Sequence, residues 1–144
     1  MSRIGLAIRR RGAMTAIALA FFLVMSTPSF AAGLAGSEWQ PTVIGDMAIP
    51  KDADVFVQFQ AEGELRGHGG CNGFFGSYRI SGDSLEIGPL GATHMACPDP
   101  IMDRESAFMK ALQAAKSYKR DRIALELFDE SGAVVMKLSQ RDAD

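Results

Sequence analysis

The amino-acid sequence predicts an α+β domain in which several antiparallel β-hairpins wrap around one main α-helix. Turn-forming residues recur regularly after residue 32, and short segments rich in β-branched and aromatic residues lie between them. One segment, residues 99–115, has the apolar spacing of an amphipathic helix. Many strands combined with one helix are typical of the α+β class.

The first 31 residues have the composition of an export signal. They contain four arginines and no acidic residue, and the apolar run Ala13–Met25 follows the arginines. Ser29 and Ala31 then form the small-x-small pair that a signal peptidase needs. The run is shorter than the roughly 20 residues of a bilayer span, so we expect cleavage before Ala32; an uncleaved anchor is the alternative.

The predicted mature domain, residues 32–144, is expected to be periplasmic or secreted by the general secretion route. No cysteine ends the signal, so we expect no lipid anchor and no stable membrane insertion after cleavage. The whole chain has 15 basic and 17 acidic residues; without the four arginines the count is 11 against 17, a net charge of −6. This acidic balance argues against nucleic acid as a partner.

The predicted strands follow one another with short turns between them. Pro41 places the first strand at an edge or a bulge. The segment Gly67–Gly76 has five glycines and is expected to form a tight, irregular turn. Trp39, Phe74 and Phe75 are expected in the core. The expected strands are Glu38–Ile44, Val55–Phe59, Leu65–His68, Ser77–Ile80, Ser84–Ile87, Ala92–Ala96, Ile123–Phe128 and Val134–Leu138.

The predicted helix begins near Asp99, which can cap it, and Pro100 suits its first position. One stripe of the helix is apolar at four of five positions, so we expect this face to cover a sheet. The stripe consists of Ile101, Glu105, Phe108, Leu112 and Ala115.

Both histidines lie three residues before the two cysteines, in His68-x-x-Cys71 and His94-x-x-Cys97. Two histidines and two cysteines could bind zinc tetrahedrally. In an oxidising compartment, however, paired thiols are more often bonded to each other. A Cys71–Cys97 disulfide would close a ring of about 27 residues, worth on the order of 3.5 kcal/mol. The disulfide is the preferred interpretation and zinc the alternative.

No recognisable catalytic motif is present in the sequence. The cysteines lack the Cys-x-x-Cys spacing of thiol–disulfide exchange enzymes. A nucleophilic Cys71 helped by Asn72 and His94 remains a third possibility. Four scattered carboxylates flank turns and are expected to be solvated: Glu62, Glu64, Asp83 and Glu86.

Three motifs resemble the META domain family, which includes the heat-shock protein HslJ. They are Gly-Cys-Asn-x-Phe-x-Gly-x-Tyr at 70–78, Thr-x-Met-Ala-Cys at 93–97 and Glu-x-x-Phe-x-x-x-Leu at 105–112. The resemblance implies a small α+β domain of the bacterial envelope, associated with heat shock, novobiocin tolerance and motility or secretion, without an established enzymatic activity. Cys71 and Cys97 match motif positions and His68 and His94 do not, which favours a structural role for the cysteines.

We therefore expect an exported, non-catalytic envelope or stress-response domain, acting as a binding or protective module. The partner is an unknown envelope protein or small molecule, no cofactor is expected, and the domain is expected to be a monomer. The alternative is a zinc-binding protein using the His/Cys cluster.

Overall fold

The computed structural model describes residues 33–141, so the predicted signal peptide lies outside the described part of the chain. Within this range the chain forms ten β-strands, one α-helix and a short 3-10 turn at Ala61–Gly63. The helix, α1, is Asp99–Ala114. The strands are β1 Ser37–Ile44, β2 Met47–Ala48, β3 Val55–Phe59, β4 Glu64–Gly69, β5 Gly73–Ser81, β6 Ser84–Ile87, β7 Gly91–Ala92, β8 Ser117–Asp121, β9 Ala124–Phe128 and β10 Val134–Gln140.

Eight of the described strands close into an antiparallel barrel, in the order β1-β3-β4-β5-β6-β8-β9-β10. The barrel closes because β10 pairs with β1 in five registered residue pairs, from Trp39 with Gln140 to Ile44 with Met136. Strands β2 and β7 extend the sheet beside β1 and β5.

The predicted α+β class is therefore wrong. Strands hold 49% of the described residues, the barrel is closed, and the helix does not form an axis around which hairpins wrap. The prediction identified the local hairpins but missed the closure. Apolar periodicity in a short window indicates whether a segment is a strand. It does not indicate which other strand that segment pairs with when the two are far apart in sequence, as β1 and β10 are.

Alternating side chains from the barrel strands fill the interior, and one face of α1 completes it. Phe108 and Leu112 are fully buried, and the Phe108 ring meets the Phe74 ring edge-to-face at 5.5 Å. Because α1 contacts β1, β4, β6 and β10 while its outer face is exposed, it covers an opening of the barrel. The helical segments of residues 33–141 include none with the length and apolar character of a membrane span.

The glycine-rich segment is mostly strand, contrary to the prediction of an irregular turn. Gly67 and Gly69 lie in β4, and a Cβ on Gly67 would overlap the Phe74 ring. A Cβ on Gly69 would overlap the Glu105 side chain. The absence of a side chain at these two glycines therefore leaves space for the Phe74 ring and the Glu105 side chain. The turn between β4 and β5 is short and consists of residues 70–72.

Two further local predictions were wrong in part. The expected strand Ala92–Ala96 is limited to Gly91–Ala92, and the rest is an exposed loop. Pro98 precedes the helix as its N-cap residue, so Asp99 is the first helical residue and does not cap it.

Strand β8 was not predicted, because its sequence Ser-Tyr-Lys-Arg-Asp buries one side chain, that of Tyr118.

The pairing between β6 and β8 is much shorter than the other ladders of the barrel. One residue pair, Ser84 with Ser117, is in register within the described chain. Two backbone hydrogen bonds flank this pair: Leu85 N donates to Lys116 O and Tyr118 N donates to Asp83 O, both at 2.9 Å. We call this β6–β8 contact the seam.

Candidate functional site

The residues of the family motifs meet at the corner where β4 turns into β5. The turn passes through Gly70, whose φ of 106° lies in the left-handed region that favours glycine. This conformation directs the next two backbone N–H groups to one carboxylate. Cys71 N and Asn72 N donate to Glu105 Oε2 at 3.2 and 2.6 Å. The third motif, which lies in α1, thus joins the first.

Glu105 is the central acceptor of this corner and is only 6% exposed. Its other oxygen, Oε1, accepts from Asn72 Nδ2 at 2.8 Å. No lysine, arginine or histidine of the described chain forms an ion pair with it. A buried carboxylate is costly unless hydrogen-bonded, and these three N–H donors supply that compensation.

Asn72 connects the helix to the loop that precedes it. Its Oδ1 accepts from Thr93 Oγ1 at 2.8 Å and from Met95 N at 2.6 Å. Its Nδ2 donates to Met95 O at 3.2 Å as well as to Glu105. A side-chain amide has two N–H donors and two acceptor positions. All four are used, and Asn72 is 2% exposed.

The structure also joins Cys71 to Cys97 by a disulfide, with the two Cα atoms 6.0 Å apart. This bond fixes the far end of the same loop to the same turn. We call the set Cys71, Asn72, Glu105 and Cys97 the motif cluster, and residues 93–97 the motif loop. Oxidised sulfurs cannot act as a thiolate nucleophile or as zinc ligands.

The two histidines of the zinc alternative lie at the edge of the motif cluster. His68 Nδ1 lies 2.9 Å from Asp54 O and 3.2 Å from Gly70 N. His94 is exposed in the motif loop. Within the described residues, no group of three or more His, Cys, Asp or Glu side chains is arranged to hold a metal ion.

A catalytic role for Cys71 finds no support in this geometry. Its sulfur is bonded to Cys97, and the amide of Asn72 is fully used by Glu105 and the motif loop. The four carboxylates expected to be solvated are all exposed: Glu62, Glu64, Asp83 and Glu86.

The sequence interpretation missed the role of Glu105, although a signal was present. Glu105 is the one charged residue in the otherwise apolar stripe of α1. A carboxylate at such a position must find buried hydrogen-bond donors, and the Gly-Cys-Asn turn supplies them. The charged position in the apolar face of α1, taken with the Gly-Cys-Asn motif at 70–72, predicts a contact between Glu105 and Asn72.

Two large apolar side chains stand out from the surface near the cluster. Met95, in the motif loop, is 57% exposed although its backbone N–H and C=O are both bound by Asn72. Phe75 is 62% exposed, so the expectation of a core position was wrong for Phe75 and confirmed for Phe74. The Phe75 ring covers Gly91, where a Cβ would lie 2.7 Å from the ring.

Comparison with known proteins identifies one family and several related folds. The META domain family matches this chain over residues 32–142. A protein from Burkholderia xenovorans with an NMR structure is 22% identical, with a TM-score of 0.63, over 94% of this chain and 99% of that one. A DUF4847 family protein from Bacteroides vulgatus is 18% identical, with a TM-score of 0.57, over 78% and 98% respectively. No curated protein matches the chain.

Proposed function

Because this chain belongs to the META domain family, we propose that it is an exported, non-catalytic binding domain of the cell envelope or stress response. In this proposal the domain presents the motif loop to a partner, which is an envelope protein or a small molecule. The motif cluster is the scaffold that holds this loop in one conformation.

The observation that supports the proposal most is that the polar groups of the motifs bind one another. Asn72 and Glu105 form hydrogen bonds with each other. Glu105 also accepts from backbone N–H groups of the turn, Asn72 binds the motif loop, and the two cysteines form a disulfide. A general acid, general base or nucleophile must instead have a free position that can meet a substrate. The cluster has the properties of a structural support.

The motif loop is rigidly held yet solvent-facing, which suits a recognition surface. Thr93, Met95 and Cys97 are each tied to the turn, while the Met95 side chain is 57% exposed. Ordering an apolar side chain before binding reduces the entropy lost in the complex. Methionine is also common on surfaces that adapt to apolar partners.

Site-specific photocrosslinking in the native host tests this assignment. A photoreactive residue replaces Met95 in one variant and Ile123 in a control variant. Ile123 is a matched control because it is 68% exposed and lies in the β8–β9 turn, outside the motif loop. We expect a discrete crosslinked product at position 95 and none at position 123. Equal products at both positions, or none at either, contradict the assignment of the motif loop.

Export is a separate part of the proposal and has its own test. Cell fractionation followed by N-terminal sequencing of the full-length product is expected to find a chain beginning at Ala32 in the periplasm or the medium. Recovery of the intact chain in the membrane or the cytoplasm would show that residues 1–31 do not act as a cleaved signal.

A further inference from the structure

A polar groove lies on the outer face of the barrel, where β1 begins and where β3 and β10 end. Its volume is about 400 Å³, within the range of small-molecule sites. It is separate from the motif cluster and shares no lining residue with it. Its polar side chains are Ser37, Glu38, Gln58, Gln60, Gln140 and Arg141.

A chain of hydrogen bonds fixes the orientation of the groove side chains. Glu38 Oε1 pairs with Arg141 Nη1 at 3.1 Å, and Glu38 Oε2 accepts from Gln58 Nε2. Because an ionised carboxylate only accepts, the Gln58 amide must turn its NH₂ group to Glu38 and its oxygen away. Gln60 Nε2 lies 3.5 Å from that oxygen.

The opposite wall of the groove is fixed in the same manner. Gln140 Oε1 accepts from Arg120 Nη2 at 3.3 Å, so its NH₂ group is left for the groove. Arg120 is itself held, because it donates to Gly33 O at 2.7 Å and lies 5.0 Å from the centre of the Trp39 ring. The groove therefore has oriented amide groups on both walls before any ligand arrives.

The charges of the groove cancel. Glu38 and Arg141 are its two ionisable lining residues and they pair with each other, with side chains 25% and 39% exposed. A charged ligand would lose hydration without gaining an unpaired counter-charge. The groove therefore favours a neutral ligand.

We propose that this groove binds a neutral saccharide. Sugar hydroxyls donate and accept, as required between the second N–H of the Gln58 amide, the NH₂ group of Gln140 and the free oxygen of Gln60. Preorganised planar amides reduce the ordering cost of binding such a flexible, hydrated ligand. This inference goes beyond the proposed function and does not depend on the motif loop.

The test is an NMR titration of the ¹⁵N-labelled mature domain with maltotriose and, separately, chitotriose. We expect saturable shifts of the side-chain NH₂ signals of Gln58, Gln60 and Gln140 with at least one of these two probes. The Gln58→Leu and Gln60→Ala variants are expected to weaken binding at least about tenfold. Gln113→Leu, at an exposed position of α1, is the matched control and is expected to bind as the parent does.

Three results would overturn the proposal. The first is the absence of saturable shifts with both saccharides. The second is equal affinity in the parent and in both folded groove variants, as judged by their spectra. The third is stronger binding of a charged probe, sodium acetate, at the same amide signals. A Met95→Ala variant that loses partner crosslinking but keeps saccharide shifts would separate this site from the motif loop.

Discussion

The motif cluster and the seam hold the same barrel by opposite means. At the cluster, residues distant in sequence form a buried network. Glu105 accepts from the backbone N–H groups of Cys71 and Asn72 and from Asn72 Nδ2, and the Cys71–Cys97 disulfide adds a covalent link. At the seam, one registered residue pair and two backbone hydrogen bonds join β6 to β8. The cluster depends on residue identity, whereas the seam depends on backbone position.

This difference predicts how each region responds to mutation. A network of Asn, Glu and Cys side chains tolerates few substitutions, because each lost partner leaves a buried polar group unsatisfied. A backbone contact accepts almost any residue. We therefore expect large losses of stability when residues of the cluster are replaced, and smaller ones at the seam.

Replacement of Glu105 is expected to have the largest effect on stability. Glu105→Ala removes the acceptor of three N–H groups and should lower the free energy of unfolding by about 3–5 kcal/mol. Glu105→Gln keeps the shape but places an NH₂ group against Asn72 Nδ2, so we expect about half that loss. Urea unfolding followed by tryptophan fluorescence measures both.

Glu86→Ala provides the matched control for Glu105, since the Glu86 side chain is 63% exposed and pairs with Arg79 at the surface. Its effect should stay within about 0.5 kcal/mol. If Glu105→Ala and Glu86→Ala unfold at the same urea concentration, the carboxylate network does not stabilise the barrel.

Loss of the disulfide is expected to have the next largest effect. Cys97→Ser should lower the free energy of unfolding by about 2–5 kcal/mol, because the unfolded chain regains the freedom of the closed ring. Reduction of the parent protein should give a similar loss, and thiol counting on the unreduced parent should find no reactive thiol. A Cys97→Ser variant that melts like the parent under oxidising conditions would show that the pair is not bonded or not structural.

A smaller effect is expected at the seam, with a different signature. Tyr118 OH donates to Gly82 O at 3.2 Å beside the two seam hydrogen bonds. Tyr118→Phe should cost about 0.5–1.5 kcal/mol and should speed the exchange of the Leu85 amide more than that of the β1–β10 amides.

Tyr78→Phe is the matched control for the seam, because its hydroxyl donates to Gln60 O at 2.6 Å on another part of the barrel. It should leave the relative exchange rate of the Leu85 amide unchanged. Equal changes at the seam in both variants would mean that the seam opens only with the whole barrel.

The sequence was informative where local chemistry decides the structure. Strands with alternating apolar residues, such as Val55–Phe59, and the helix at Asp99–Ala114 were predicted close to their bounds. The motif cysteines were paired for chemical reasons. Barrel closure was not predictable in this way, because the register of β1 with β10 depends on the packing of the whole domain.

Other failures have equally local physical causes. Strand β8 was missed because its outward residues are charged and its inward face buries mainly Tyr118. The glycines of β4 favour a turn by sequence alone, whereas in the structure Gly67 and Gly69 make space for Phe74 and Glu105. The groove was not predictable either, since Gln58 lies in β3 and Gln140 in β10, strands that flank β1 only in the folded barrel.

Amide hydrogen exchange at Met95 reports directly whether the motif cluster holds the exposed motif loop in a fixed conformation. The Met95 side chain is 57% exposed, yet its N–H donates to Asn72 Oδ1 at 2.6 Å. We predict exchange at least about a hundredfold slower than in an unstructured peptide, comparable with the amides of the barrel strands. Exchange at the rate of an unstructured peptide would contradict this account of the motif cluster.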